Sequence, residues 1–103
     1  MRRFEKISVN EFKKEGFNDL EAYNDLKIPH RGSKFSAGYD FATAWKTTLP
    51  AGETVKIPTL IKADMDNDDV LLIVVRSSLG FKHNIRLANT VAVVDKDYYR
   101  KWK

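Results

Sequence analysis

A chain of 103 residues, 43% hydrophobic and 31% charged, bounds one globular domain with a modest core. It has no cysteine, which excludes a disulfide framework and a thiolate metal site, and no apolar run approaches the roughly 18 residues that a membrane span requires. The formal charge of +4 favours an anionic partner only mildly. Its densest basic groups, Arg2-Arg3 and Arg100-Lys101-Lys103, sit at the ends rather than among aromatics as on a nucleic-acid polymer binder.

The first residues lack the apolar stretch of a signal peptide, so the cytoplasm is the expected compartment. Residues 1–27 read as polar and helical. Ser8 with Glu11 three positions later forms a capping box, Val9 and Phe12 give a short apolar face, and Gly16 is a stop. Asn18 and Glu21 repeat the capping pattern before Ala22, Tyr23 and Leu26. Two short helices, or one broken at Gly16, would form a surface appendage to the rest.

From Ile28 the chain changes character. Pro29, Gly32, Gly38, Pro50, Gly52 and Pro58 punctuate it too often for long helices. Residues 39–45 and 54–63 read as extended segments, separated by a turn at Pro50-Ala51-Gly52. Residues 70–75 form an apolar run expected to be a strand buried on both faces, and residues 85–94 a further long β segment. Short strands at regular spacing predict an all-β sandwich or barrel over residues 28–103.

Three constellations carry chemistry. Arg76-Ser77-Ser78-Leu79-Gly80 offers a guanidinium, two hydroxyls and backbone N–H groups to an anion; the plainer reading is a strand-end Arg followed by a Ser-capped turn. Ser36-Ala37-Gly38-Tyr39-Asp40 allows close backbone approach and places a carboxylate where a hydrated cation would suit it, or is simply a turn. Asp95, at the end of an apolar run, is either a general base towards water or a turn-forming Asp, and Asn89 offers both a donor and an acceptor, as a pyrimidine edge needs, or is a bulge or edge residue. His30 and His83 have no partner His or Cys, so zinc is not expected.

In order and spacing, Ser36-Ala37-Gly38-Tyr39-Asp40, Arg76-Ser77-Ser78-Leu79-Gly80, and Asn89 with Val93-Val94-Asp95-Lys96-Asp97-Tyr98 resemble the first three of five motifs of the trimeric dUTPases. Pro50-Ala51-Gly52-Glu53 and residues 57–63 add to the resemblance, which runs over about residues 29–99. The start Phe4-Glu5-Lys6-Ile7-Ser8 resembles forms from Gram-positive bacteria and their prophages. The resemblance implies a jelly-roll-like β fold, a homotrimer, and hydrolysis of dUTP to dUMP and pyrophosphate with Mg2+. It implies that Asp95 orients and deprotonates the attacking water and that Tyr98 packs beneath the deoxyribose. Asn89 and the main chain at Val93 and Val94 would read uracil. Arg76, Ser77 and Ser78 would hold phosphates, and Asp40 would bond to water on the magnesium.

The family pattern continues beyond Tyr99 with a turn, a returning strand, a fourth motif and a glycine-rich arm, whereas this sequence reads Arg100-Lys101-Trp102-Lys103. A truncated dUTPase, possessing the site residues but not every part of the site, is therefore the expectation. The alternative is a non-catalytic nucleotide-binding or protein-interaction relative of the same fold. A deoxycytidine nucleotide deaminase of the same superfamily suits Asn89 and Asp95-Lys96-Asp97-Tyr98 less well.

Overall fold

Ser8 starts the first helix in the manner its spacing from Glu11 predicts. Its backbone is extended and its Oγ accepts the Glu11 N–H at 3.1 Å, satisfying one of the donors that a helix leaves unpaired at its start. In the computed structural model, which describes residues 2–101, helix α1 (Val9–Lys14) follows. Gly16 ends it at φ 92°, a conformation glycine adopts without a Cβ penalty. Helix α2 (Leu20–Asp25) is capped one position later than the sequence suggests: Asp19, not Asn18, accepts the Ala22 N–H, at 3.0 Å. Of the C-terminal basic group, Lys103 lies outside the described residues, as do Met1 and Trp102.

The expected helical character of residues 1–27 fails at Arg3–Lys6, which is strand β1. It pairs antiparallel with β2 (Ile61–Asp64), Arg3 opposite Asp64 and Lys6 opposite Ile61, and the Ile7 N–H extends the pairing to the Leu60 carbonyl at 3.0 Å. A partner this far along the chain overrides local preference. Nor is the segment an appendage. Ile7, Phe12 and Leu60 are fully buried, and Leu26 and Ile61 nearly so; together they form the core cluster. Phe12 packs against Phe17 and Tyr23 with ring centroids 5.5 and 5.1 Å apart, and the Tyr23 hydroxyl donates to the Ile7 carbonyl at 2.6 Å. Leu60 reaches this core at φ 61°, a strained backbone for a residue with a side chain, costing on the order of 1 kcal/mol or more. Burial of its whole side chain offsets that by roughly 1.5–3 kcal/mol.

A second ribbon pairs β3 (Leu71–Ile73) with β4 (Ala92–Val94), antiparallel, with Leu71 opposite Val94 and Ile73 opposite Ala92. Residues 70–75 are not buried on both faces as expected. Val70, Leu72 and Val74 are exposed, while Leu71, Ile73 and Val75 turn inward and are half-buried, so one face of the run meets only solvent. Residues 39–45 contain no strand, only an isolated antiparallel bridge between His30 and Asp40. The expected strand over residues 85–94 narrows to its last three residues, because Asn84 and Thr90 adopt positive φ and break the extended path. Helix α3 (Ser77–His83) connects the two strands and α4 (Asp97–Lys101) follows them. The β structure is antiparallel, in two small sheets. Among the described residues no helix is long and apolar enough to cross a membrane.

Candidate active site

Asp95 leaves β4 and immediately turns. Its Oδ1 accepts the Asp97 N–H at 3.2 Å and its carbonyl accepts the Tyr98 N–H at 3.3 Å, so the carboxylate is fixed by the same turn that starts α4. The side chain is exposed to solvent, where a water can reach it. Tyr98 follows on α4 with 52% of its surface exposed, which leaves a flat face for a ligand. It borders a cavity of about 160 Å³ between the two ribbons, shared with Phe4, Phe41, Leu71, Ile73 and Val94. Val93 is exposed and Val94 half-buried, as alternation along a strand requires.

Arg76 is the residue before α3. Its backbone is extended and its carbonyl accepts the Leu79 and Gly80 N–H groups at 3.0 and 3.2 Å. The side chain makes no capping bond, and Arg76, Ser77 and Ser78 are all exposed. Asn89 lies in the turn before β4, where its carbonyl accepts the Val91 N–H at 2.7 Å, and its side chain is exposed.

The β3–β4 register decides which of these groups meet. Arg76 follows the end of β3 that lies beside the start of β4, so Arg76, Ser77, Ser78 and Asn89 belong to one end of the ribbon. Asp95 follows Val94, which is opposite Leu71, so Asp95 and Tyr98 belong to the other end. Within one chain the antiparallel pairing separates the phosphate-binding candidates from the candidate base.

Asp40 is half-buried, and its N–H donates to the His30 carbonyl at 2.8 Å. Its Oδ2 approaches Gly32 so closely that a Cβ there would lie 3.2 Å away, so Gly32 leaves the space this carboxylate uses. Among the described residues no three His, Cys, Asp or Glu side chains gather into a metal-binding group. A single carboxylate fits a magnesium ion that keeps its waters and takes most of its ligands from phosphate oxygens, and does not fit an all-protein cage. The larger cavity, about 690 Å³, lies elsewhere, between β1, β2 and residues 28–39, with Arg2, Arg3, Arg31, Phe4 and Tyr39 among its walls and none of the candidate site residues.

A family model of the dUTPases matches residues 24–101. The chain belongs to the dUTPase family. Its relatives include deoxyuridine 5'-triphosphate nucleotidohydrolases. That of Lactococcus lactis subsp. lactis is 41% identical over 86 residues, 82% of this chain and 57% of the relative. Those of Hydrogenovibrio crunogenus and Shewanella baltica are 36% and 37% identical, over 72% and 78% of this chain and 50% and 55% of theirs. This dUTPase-family chain thus spans about half the length of the curated relatives it matches. No solved structure matches it.

Sequence reasoning missed the surroundings of Tyr99. Its hydroxyl donates to Glu5 Oε2 at 3.2 Å and its ring lies under the Lys62 ammonium, 4.7 Å from Nζ to the centroid. Burial, then the bond and charge of Glu5, push the phenol pKa up. The only local signal was a second tyrosine beside Tyr98.

Proposed function

We propose that the chain supplies the catalytic and nucleotide-binding residues of a dUTP diphosphatase, which hydrolyses dUTP to dUMP and pyrophosphate. The observation that carries this reading is the family match over residues 24–101, a span that contains every candidate residue from Asp40 to Tyr98.

In this reading Asp95 accepts a proton from a water and directs the water oxygen at the α-phosphorus. A new P–O bond forms there, the bond from the α-phosphorus to the α,β-bridging oxygen breaks, and pyrophosphate leaves. The Asp97 N–H on Oδ1 limits the rotation of the carboxylate. Tyr98 lies under the deoxyribose, where a 2′-hydroxyl would collide, and Asn89 with the main chain at Val93 and Val94 reads uracil. Arg76, Ser77 and Ser78 hold phosphate oxygens. Magnesium, when bound, neutralises charge on the triphosphate, and Asp40 would hydrogen-bond to one of its waters.

The reading includes a jelly-roll-like β fold and a homotrimer. Separation of Arg76 from Asp95 by the length of one ribbon supports assembly, because a second copy can bring its own Asp95 end to the first copy's Arg76 end. A small diffusible substrate also suits the cytoplasmic setting expected from the sequence. The alternative is a non-catalytic nucleotide-binding or protein-interaction relative of the same fold. Pyrophosphate release from dUTP, with the protein near the substrate concentration, decides between them. Release that depends on magnesium and is absent with UTP is the expected result, and no release from dUTP overturns the enzymatic reading.

A further inference from the structure

Helix α4 is five residues long, too short to hold itself together in water, so its order comes from what it touches. Two side chains that the proposed reaction does not use tie it and the preceding turn to the first sheet. Lys96 Nζ donates to the Met65 carbonyl just beyond β2. Tyr99 donates to Glu5 on β1, a contact between residues 94 positions apart.

Glu5 is well placed to receive it. It lies directly opposite Lys62 in the β1–β2 register, its Oε1 is 2.6 Å from Arg3 Nε and its Oε2 3.8 Å from Lys62 Nζ. The acceptor is therefore held on both sides, and the Tyr99 ring fills the space beneath Lys62. At the other end of the segment the Asp95 carboxylate caps Asp97. Loss of the Tyr99 anchor frees α4, and with it the N–H that orients Asp95.

We propose that Tyr99 and Glu5 are positioning residues, and that strand β1 holds the Asp95–Tyr98 turn in its working geometry through the Tyr99–Glu5 hydrogen bond. The inference rests on Asp95 being the water-activating base. Glu5 lies before residue 24, outside the residues that the family model matches.

Four variants test it: Tyr99→Phe, Glu5→Ala, the two combined, and Glu5→Gln, whose amide oxygen accepts the same bond. In pyrophosphate release from dUTP, Tyr99→Phe and Glu5→Ala each lower kcat about tenfold, the loss expected when one partly buried hydrogen bond that sets catalytic geometry is removed. KM rises as well, because α4 also carries Tyr98, so the loss is read in kcat at saturating dUTP. The combined variant is no slower than either single one, and Glu5→Gln keeps most of the rate. Unchanged kcat in the single variants, multiplying losses in the combined one, or a Glu5→Gln defect equal to that of Glu5→Ala overturns the proposal.

Native-state hydrogen exchange at the Asp97 and Tyr98 amides gives an arm that needs no turnover. Exchange accelerates in Tyr99→Phe and Glu5→Ala and is restored in Glu5→Gln, while the Phe12 amide in the core stays protected and certifies folding. Unchanged exchange at Asp97 and Tyr98 overturns the proposal by itself. A wild-type chain without turnover counts against the dUTP diphosphatase reading alone, and the exchange arm still decides whether β1 holds the turn.

Discussion

Leu72 stands directly opposite Val93 in the β3–β4 ribbon, and both side chains are more than half exposed. With Val70, Val74 and Val91 they make an apolar outer face on a two-stranded ribbon. Burying such a face is favourable by about 25 cal/mol per Å², and the proposed homotrimer offers a way to cover it. Leu72→Lys and Val93→Lys should each shift the protein towards monomer in light scattering, with the far-UV circular dichroism unchanged. A wild type that is already monomeric at the concentrations of the activity assay removes the trimer.

Asp95→Asn retains the size of the side chain and the oxygen that caps Asp97, but a neutral amide cannot take a proton from water. Turnover of dUTP should fall by about 10²–10⁴-fold. Calorimetric binding of a non-hydrolysable dUTP analogue should persist, since the groups proposed to bind uracil and phosphate are untouched. Retained turnover removes Asp95 from its role.

Phe12 is fully buried at the centre of a small core. Phe12→Ala should cost about 3–5 kcal/mol, a large part of the stability of a domain this size. Urea unfolding should show a lower midpoint with a similar slope.

Acid stability should depend on Asp69. Arg2 holds both of its carboxylate oxygens, Nε at 2.7 Å and Nη2 at 2.8 Å, and this hydrogen bonding is the main cause of a carboxyl pKa below its ordinary value. A depressed folded-state pKa gives stability that is complete above the ordinary value of 3.8 and is lost as pH falls through the folded value. Asp69→Asn should flatten that limb of the stability profile. Arg2 is largely exposed although Asp69 is half-buried, so added salt should weaken the effect.

Alkaline stability should depend on Tyr99 with the opposite sign. Burial first, then Glu5, raises its phenol above the ordinary 10.0. Its stabilisation is complete below that value and is lost as pH rises through the folded one. A spectrophotometric tyrosine titration should show one late phenol, which Tyr99→Phe eliminates.

The sequence discloses features whose causes are local. Ser8 and Glu11 announce a helix start because the cap bond spans three residues, and Gly16 announces its end because few other residues tolerate a φ of 92°. The family was legible in the order of three motifs, and the match over residues 24–101 agrees. What escaped is set by distant partners. Arg3–Lys6 looks like polar helix until β2 is paired with it, and residues 70–75 look like a buried strand because composition cannot show what covers a face. The relation of Arg76 to Asp95 depends on the β3–β4 register, which no single motif contains.

The core also has a consequence for how the chain comes together. Ile7 and Phe12 pack with Leu60 and Ile61, while most of the intervening residues 46–57 lie on the surface. Early and late parts of the sequence are two halves of one interlocked unit, so the N-terminal helices cannot complete their packing until β2 has been synthesised. A protease cut within residues 46–54 should leave two fragments clasped by the β1–β2 pairing and the shared core, and they should separate only on denaturation.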